Sequence, residues 1–129
     1  MFVIIRYNME VINIQKKLSK FDKQWHPHRI TIVDDHQVYL SKISGDFIWH
    51  THEDSDELFH VVKGTLYMKF RERTVQVNAG EMLLVPKGTE HCPSTKNGEE
   101  VHLLVFEKLN TKHTGNTTTK KTISDYPTI

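Results

Sequence analysis

Gly45-Asp46-Phe47-Ile48-Trp49-His50-Thr51-His52-Glu53-Asp54-Ser55-Asp56-Glu57 is the stretch on which the reading of this chain turns. Phe47–His52 reads as a strand, so His50 and His52, two residues apart, project from one face. Ile48 shares that face, and Phe47, Trp49 and Thr51 are expected to point outward. The acidic loop Glu53–Asp56 reverses the chain, and Glu57 opens the next strand, Glu57–Val62. Phe59 and Val61 share the Glu57 face and form an apolar wall below the carboxylate. His60 has the opposite parity and is expected to point away.

A second block, Gly80-Glu81-Met82-Leu83-Leu84-Val85-Pro86-Lys87-Gly88-Thr89-Glu90-His91, brings another imidazole from a distance. Pro86 ends the strand Met82–Val85, and Gly88 permits a sharp turn that swings His91 back over the sheet. Three imidazoles and one carboxylate suit a borderline divalent transition metal. A His-Thr-His alone carries little weight, since such pairs arise by chance on exposed strands. The ordered set His50, His52, Glu57, Gly64, Gly80, Pro86, Gly88 and His91 is what points to a metal.

Outward from these blocks the chain keeps a period of two. Ile30 and Ile32, then Val38 and Leu40, alternate with polar neighbours around a turn at Asp34-Asp35. Further strands are expected at Thr65–Phe70, Thr74–Val77 and Val101–Phe106. Turn residues separate them at Ser44-Gly45, Lys63-Gly64, Arg71–Arg73, Asn78–Gly80 and Lys96–Gly98. Eight or so short strands at regular spacing predict an all-β barrel or jelly roll. Val11–Phe21 is the one helical segment, with Ile12, Ile14, Leu18 and Phe21 on its apolar stripe. Residues 1–28 are thus an N-terminal segment, 29–108 the barrel, and 109–129 a tail. From Asn110 to Lys121 the composition turns to Thr, Lys, Asn and Gly, which predicts an extended, surface-lying or partly mobile segment.

The 129 residues suffice for one domain with its own apolar core. A formal net charge of +1 and the absence of a basic block argue against nucleic acid as a partner. Met1–Arg6 is too short an apolar run to span a bilayer, and no small-residue cleavage pattern follows it. The cytoplasm is the expected location, and Met9 is an alternative start. The single cysteine, Cys92, excludes an intrachain disulfide and fits a reducing compartment. It adjoins His91, so a thiolate ligand is conceivable, but opposite strand parity favours a small buried thiol.

Gly45, His50, His52, Glu57 and Gly64, followed by Gly80, Pro86, Gly88 and His91, resemble the two motifs of the cupin superfamily. The likeness covers most of residues 38 to 108. Phe70–Val75, Glu81, His91-Cys92-Pro93 and the Thr-Gly-Asn of the tail look like a subgroup of small, single-domain bacterial cupins. Its members commonly carry loose labels such as mannose-6-phosphate isomerase-like. The resemblance implies a jelly-roll barrel, the double-stranded β-helix, with His50, His52, Glu57 and His91 as metal ligands. Two positions depart from the family pattern. Gly45 lies one residue nearer the first histidine, and Thr95 stands where an asparagine is often found.

Three His and one Glu leave two adjacent coordination positions of an octahedral ion open, as catalytic sites do. The expected cofactor is one divalent Mn, Fe, Ni, Zn or Co ion per chain. Iron or manganese would suit dioxygenase chemistry; nickel, zinc or cobalt would suit isomerisation or hydration. The expected ligand is a small oxygen-rich metabolite, and the alternative is a non-catalytic binding protein. Tyr67 and His102 are candidate general bases, each with an equal claim to a structural role. Asp56 is a minor alternative ligand and Asp54 a solvated loop residue. A homodimer is expected, with the segment holding Ile30 and Ile32 adding a strand to the partner's sheet.

Overall fold

A computed structural model of the chain describes residues 9–117 and 126–129. The expectations for residues 1–8 and for 118–121 lie outside these described residues. The apolar–polar alternation folds into strands β1 (His28–Val33), β2 (His36–Ile43), β3 (Glu57–Lys63), β4 (Thr65–Lys69), β5 (Thr74–Asn78), β6 (Met82–Val85), β7 (Cys92–Ser94) and β8 (Val101–Lys108). They form two antiparallel sheets, ordered β1-β2-β8-β3-β6 and β5-β4-β7. This is the expected all-β jelly roll.

Period two decides which side chains fill it. Tyr39 and Ile43 on β2, Phe59 and Val61 on β3, Leu66 and Met68 on β4, and Leu103 and Val105 on β8 join one buried cluster. Burial of such side chains is the main driving force of the fold, about 1.5–3 kcal/mol for each fully buried one. Asp34 takes a positive φ of 53° at the β1–β2 turn, where an acidic residue tolerates it.

Three elements differ from the sequence expectation. The helix α1 spans only Ile14–Leu18, because the Asn13 side chain caps it by accepting from Lys16 N–H at 2.9 Å. Val11 and Ile12 therefore stay outside it and exposed. Leu18 and Phe21 still pack, with Ile14, on the outer face of the larger sheet against Leu40, Val62 and Leu104.

Phe47–His52 is not a strand. Only isolated bridges, Asp46 with Ser94 and His50 with His91, tie it to the sheets. Parity consequently fails for Phe47, which is 9% exposed and stacks on Trp25 at 4.5 Å inside the barrel. Trp49 is half-buried beneath the Arg71 guanidinium. The strand β7 was not expected from the sequence, since it contains Pro93. It is an edge strand, where the missing N–H breaks no ladder.

The tail is more integral than its polar composition suggests. His113 and Thr114 are buried, and Tyr126 lies in the main cluster. Thr128 bridges to Arg29, and Lys17 Nζ donates to Ile129 O at 2.8 Å. Among the described residues no helix is long and apolar enough to cross a membrane.

Candidate metal centre

Four separate local structures converge inside the barrel. Glu57 is the first residue of β3 and faces inward with Phe59 and Val61. His50 and His91 exchange backbone hydrogen bonds, N–H to O at 3.0 Å each way. His91 reaches that position because the chain reverses after Pro86. Gly88, at φ +80°, donates its N–H to His52 O at 2.8 Å. The loop is further pinned where Lys87 N–H donates to Asp56 Oδ1 at 2.9 Å, which occupies Asp56 as a structural acceptor.

His50, His52, Glu57 and His91 are all buried, and one ligand atom from each lies within 4.8 Å of the others. Their orientation fits a cation. His50 Nδ1 donates to Ile48 O at 2.9 Å and His91 Nδ1 donates to Thr89 O at 2.8 Å. A carbonyl only accepts, so these bonds fix the Nδ1–H tautomer and leave Nε2 for the centre. His52 Nε2 lies 2.8 Å from Glu57 Oε1, yet it is a buried atom without a well-aimed hydrogen bond. His91 Nε2 and Glu57 Oε1 lie 3.0 Å apart and face each other across the same point.

The electrostatics agree. Burial, helped by the charge of His91, pushes His50 down to about 3, so its ring is neutral and able to coordinate. Burial alone would raise the Glu57 carboxyl. The ring nitrogens of His52 and His91, 2.8 and 3.0 Å from it, outweigh burial and hold the group below the usual carboxylate range. Donor set, burial and unmatched ring nitrogen together could hold a divalent transition ion.

Other candidates lie elsewhere. His60 is half-buried and outside the quartet, as its parity predicts. Cys92 is a buried thiol, also outside it, directed at Pro93 O. Tyr67 lies under the Lys96 ammonium, and His102 pairs with Glu100 at 2.9 Å. The two departures from the family pattern touch each other. Gly45 N–H donates to Thr95 Oγ1 at 2.7 Å, and Thr95 N–H donates to Gly45 O at 3.0 Å.

Glu107 escaped the sequence reading. It is fully buried on β8, and Gln37 Nε2 donates to its Oε1 at 3.3 Å. Burial first, then the negative charge of Glu57, raises its carboxyl well above the usual range. Parity with Val101, Leu103 and Val105 was the available signal.

Two spaces adjoin the quartet. A small pocket of about 30 Å³ touches His50 and Glu57 and is walled by Trp25, Tyr39, Phe47 and Phe59. That is room for on the order of two waters. A cleft of about 420 Å³ adjoins His52 and includes Ser55, Lys108, Asn110 and Asn116.

The fold has known counterparts. Over 76% of this chain, and 94% of the other, a cupin-2 domain containing protein from Shewanella frigidimarina is 43% identical with a TM-score of 0.74. Protein NMB1881 from Neisseria meningitidis is 32% identical over 77% of this chain and 99% of its own, with a TM-score of 0.69. The uncharacterised protein YdbB of Bacillus subtilis is 46% identical over 63 residues, 48% of this chain. That match spans only 56% of YdbB. The Cupin domain family, Cupin_2, matches residues 37–107, from the inward Gln37 of β2 to the buried Glu107 of β8, and so takes in the whole quartet. With more than half of its length matched in this way, the chain belongs to the cupin domain family.

Proposed function

We propose that the protein is a metal-dependent enzyme acting on a small, oxygen-rich metabolite, of the isomerase or dioxygenase type. His50, His52, Glu57 and His91 are its proposed ligands for one divalent Mn, Fe, Ni, Zn or Co ion. The observation that carries this reading is the meeting of the buried quartet with a cleft of about 420 Å³ at His52. Bound there, the ion supplies Lewis acidity toward a substrate oxygen. The chain's own residues do the remainder. His50 and His91 are held in one tautomer by the carbonyls of Ile48 and Thr89. Trp25, Tyr39, Phe47 and Phe59 crowd the inner side.

The second reading, a binding protein without turnover, is favoured by that same inner crowding, since only about 30 Å³ remains beside His50 and Glu57. Metal analysis of protein purified without added metal, followed by a turnover screen of hydroxy-ketones and 2-oxo acids, separates the two. Bound metal with turnover supports the enzyme; bound metal with no turnover across the screen supports the binder. Stoichiometric metal retained by His50→Ala and by His91→Ala would defeat the ligand assignment.

Three further assignments belong to this proposal. Residues 29–108 form the barrel unit, flanked by 1–28 and 109–129. The cytoplasm fits a sequence whose single cysteine, Cys92, excludes an intrachain disulfide. A homodimer is supported by Met82 and Leu84, 57% and 53% exposed on the edge strand β6. The route through β1 is narrower than expected, because Ile30 packs within the chain and Arg29 is already bonded to residues 127–129. A monomeric mass by light scattering would defeat the dimer.

A further inference from the structure

Thr51, which separates the two histidines of the centre, is gripped by a turn from far along the chain. Its N–H donates to Asn116 Oδ1 at 3.1 Å, and Asn116 N–H donates to Thr51 O at 3.0 Å. Thr117 Oγ1 donates to Trp49 O at 3.4 Å, so backbone groups on both sides of His50 end on this turn. Between them Gly115 sits at φ +59°. A Cβ there would collide with the Thr51 carbonyl group, 2.9 Å from its carbon, and would crowd His50 Cδ2 at 3.1 Å. The turn has an anchor of its own: His113 stacks on Phe47 at 5.4 Å, and Phe47 lies edge-on to His50 at 5.5 Å.

Among the described residues no ladder fixes residues 47–52, which have only isolated bridges. The orientation of two ligands therefore depends on contacts outside the sheets. We propose that the turn His113–Asn116 is a positioning element of the metal centre, with Gly115 and Asn116 setting His50 and His52 through the backbone of Thr51. The inference rests on the metal reading above. Neither residue is a ligand; each acts on where the imidazoles point. Groups that orient ligands in this way commonly contribute about 10- to 100-fold to metal affinity.

The test uses the full chain and Co²⁺ alone as the probe, followed by calorimetric titration and by the visible absorption of the bound ion. Gly115→Ala is expected to weaken binding by about 10-fold or more and to move the absorption bands. Asn116→Ala is expected to do the same more weakly, and Asn116→Asp, which keeps the acceptor for Thr51 N–H, to restore the wild-type spectrum. Gly98→Ala is the control for backbone strain, at φ +69° with nothing within 4 Å, and is expected to leave affinity and spectrum unchanged.

The proposal is overturned if Gly115→Ala and Asn116→Ala lose thermal stability yet bind Co²⁺ with wild-type affinity and spectrum. If Gly115→Ala does not fold, the Asn116→Ala and Asn116→Asp pair decides by the same readouts. Wild-type protein that takes up no Co²⁺ would overturn the metal reading and this inference together. Wild-type binding with unaltered variants overturns the inference alone.

Discussion

Glu57 and His50 are almost equally buried, at 2% and 3% exposure, but the backbone beneath them is built in two ways. Glu57 stands in a ladder. It pairs with Val85 of β6, and its neighbour Leu58 pairs with Phe106 of β8. His50 stands outside any ladder and is held by one bridge to His91, while the adjoining Thr51 is held by a turn more than sixty residues on. A ladder shares load among many equivalent bonds. A remote clamp concentrates it in a few, and those bonds form only after a long loop has closed. One half of the site is thus part of the sheet, and the other half is assembled onto it.

The ladder half should break hardest. Phe59→Ala removes a ring that is 4% exposed and 6.3 Å from the His91 ring. It is expected to cost about 3–5 kcal/mol, read as a lower urea midpoint at unchanged slope. A loss below about 1 kcal/mol would mean that β3 is not the rigid wall described.

The assembled half should answer to metal. Zn²⁺ at about 100 times its dissociation constant is expected to stabilise the wild type by about 2.7 kcal/mol in thermal unfolding. His50→Ala should abolish that gain; an undiminished gain would remove His50 from the ligand set.

Thr95→Val tests the support beneath the assembled half. It keeps the side-chain size and deletes the acceptor for Gly45 N–H, at an expected cost of about 1 kcal/mol in chemical denaturation without metal. No change in stability would show that solvent replaces the bond. The smallest effect is expected in amide exchange. Leu58 and Phe59 should exchange slowly with or without Zn²⁺, while His50 and Thr51 should slow when the ion is added. Equal protection of both segments without metal would erase the distinction between them.

The same division marks what the sequence made legible. Glu57, Phe59 and Val61 face inward because a strand alternates, and a period of two is visible in a single sequence. The turn at Pro86–Gly88 was legible from residues that stop a strand and reverse it. Phe47 departs from the expected parity because its segment has no ladder to impose it, and ring contacts with Trp25 and His113 decide where it goes. The burial of His113 and Thr114 was hidden by polar composition. Contacts to backbone and to ring faces hold that segment, and neither leaves an apolar period. Glu107 was readable in principle, since β8 buries every second residue from Val101 to Glu107. A carboxyl in an inward position looks like the end of a strand until a neighbouring Glu57 and Gln37 are seen around it.

The reciprocal bonds between Gly45 and Thr95 have a consequence for protein engineering. Residues 45–57 hold three of the four quartet members, which makes them attractive to transplant into another barrel. Moved alone, the segment would leave behind the hydroxyl that receives Gly45 N–H and the turn that receives Thr51 N–H. Each hydrogen bond lost in this way costs about 0.5–1.5 kcal/mol. The transferable unit is therefore discontinuous: the histidine segment travels only with position 95 and the Gly115–Asn116 turn.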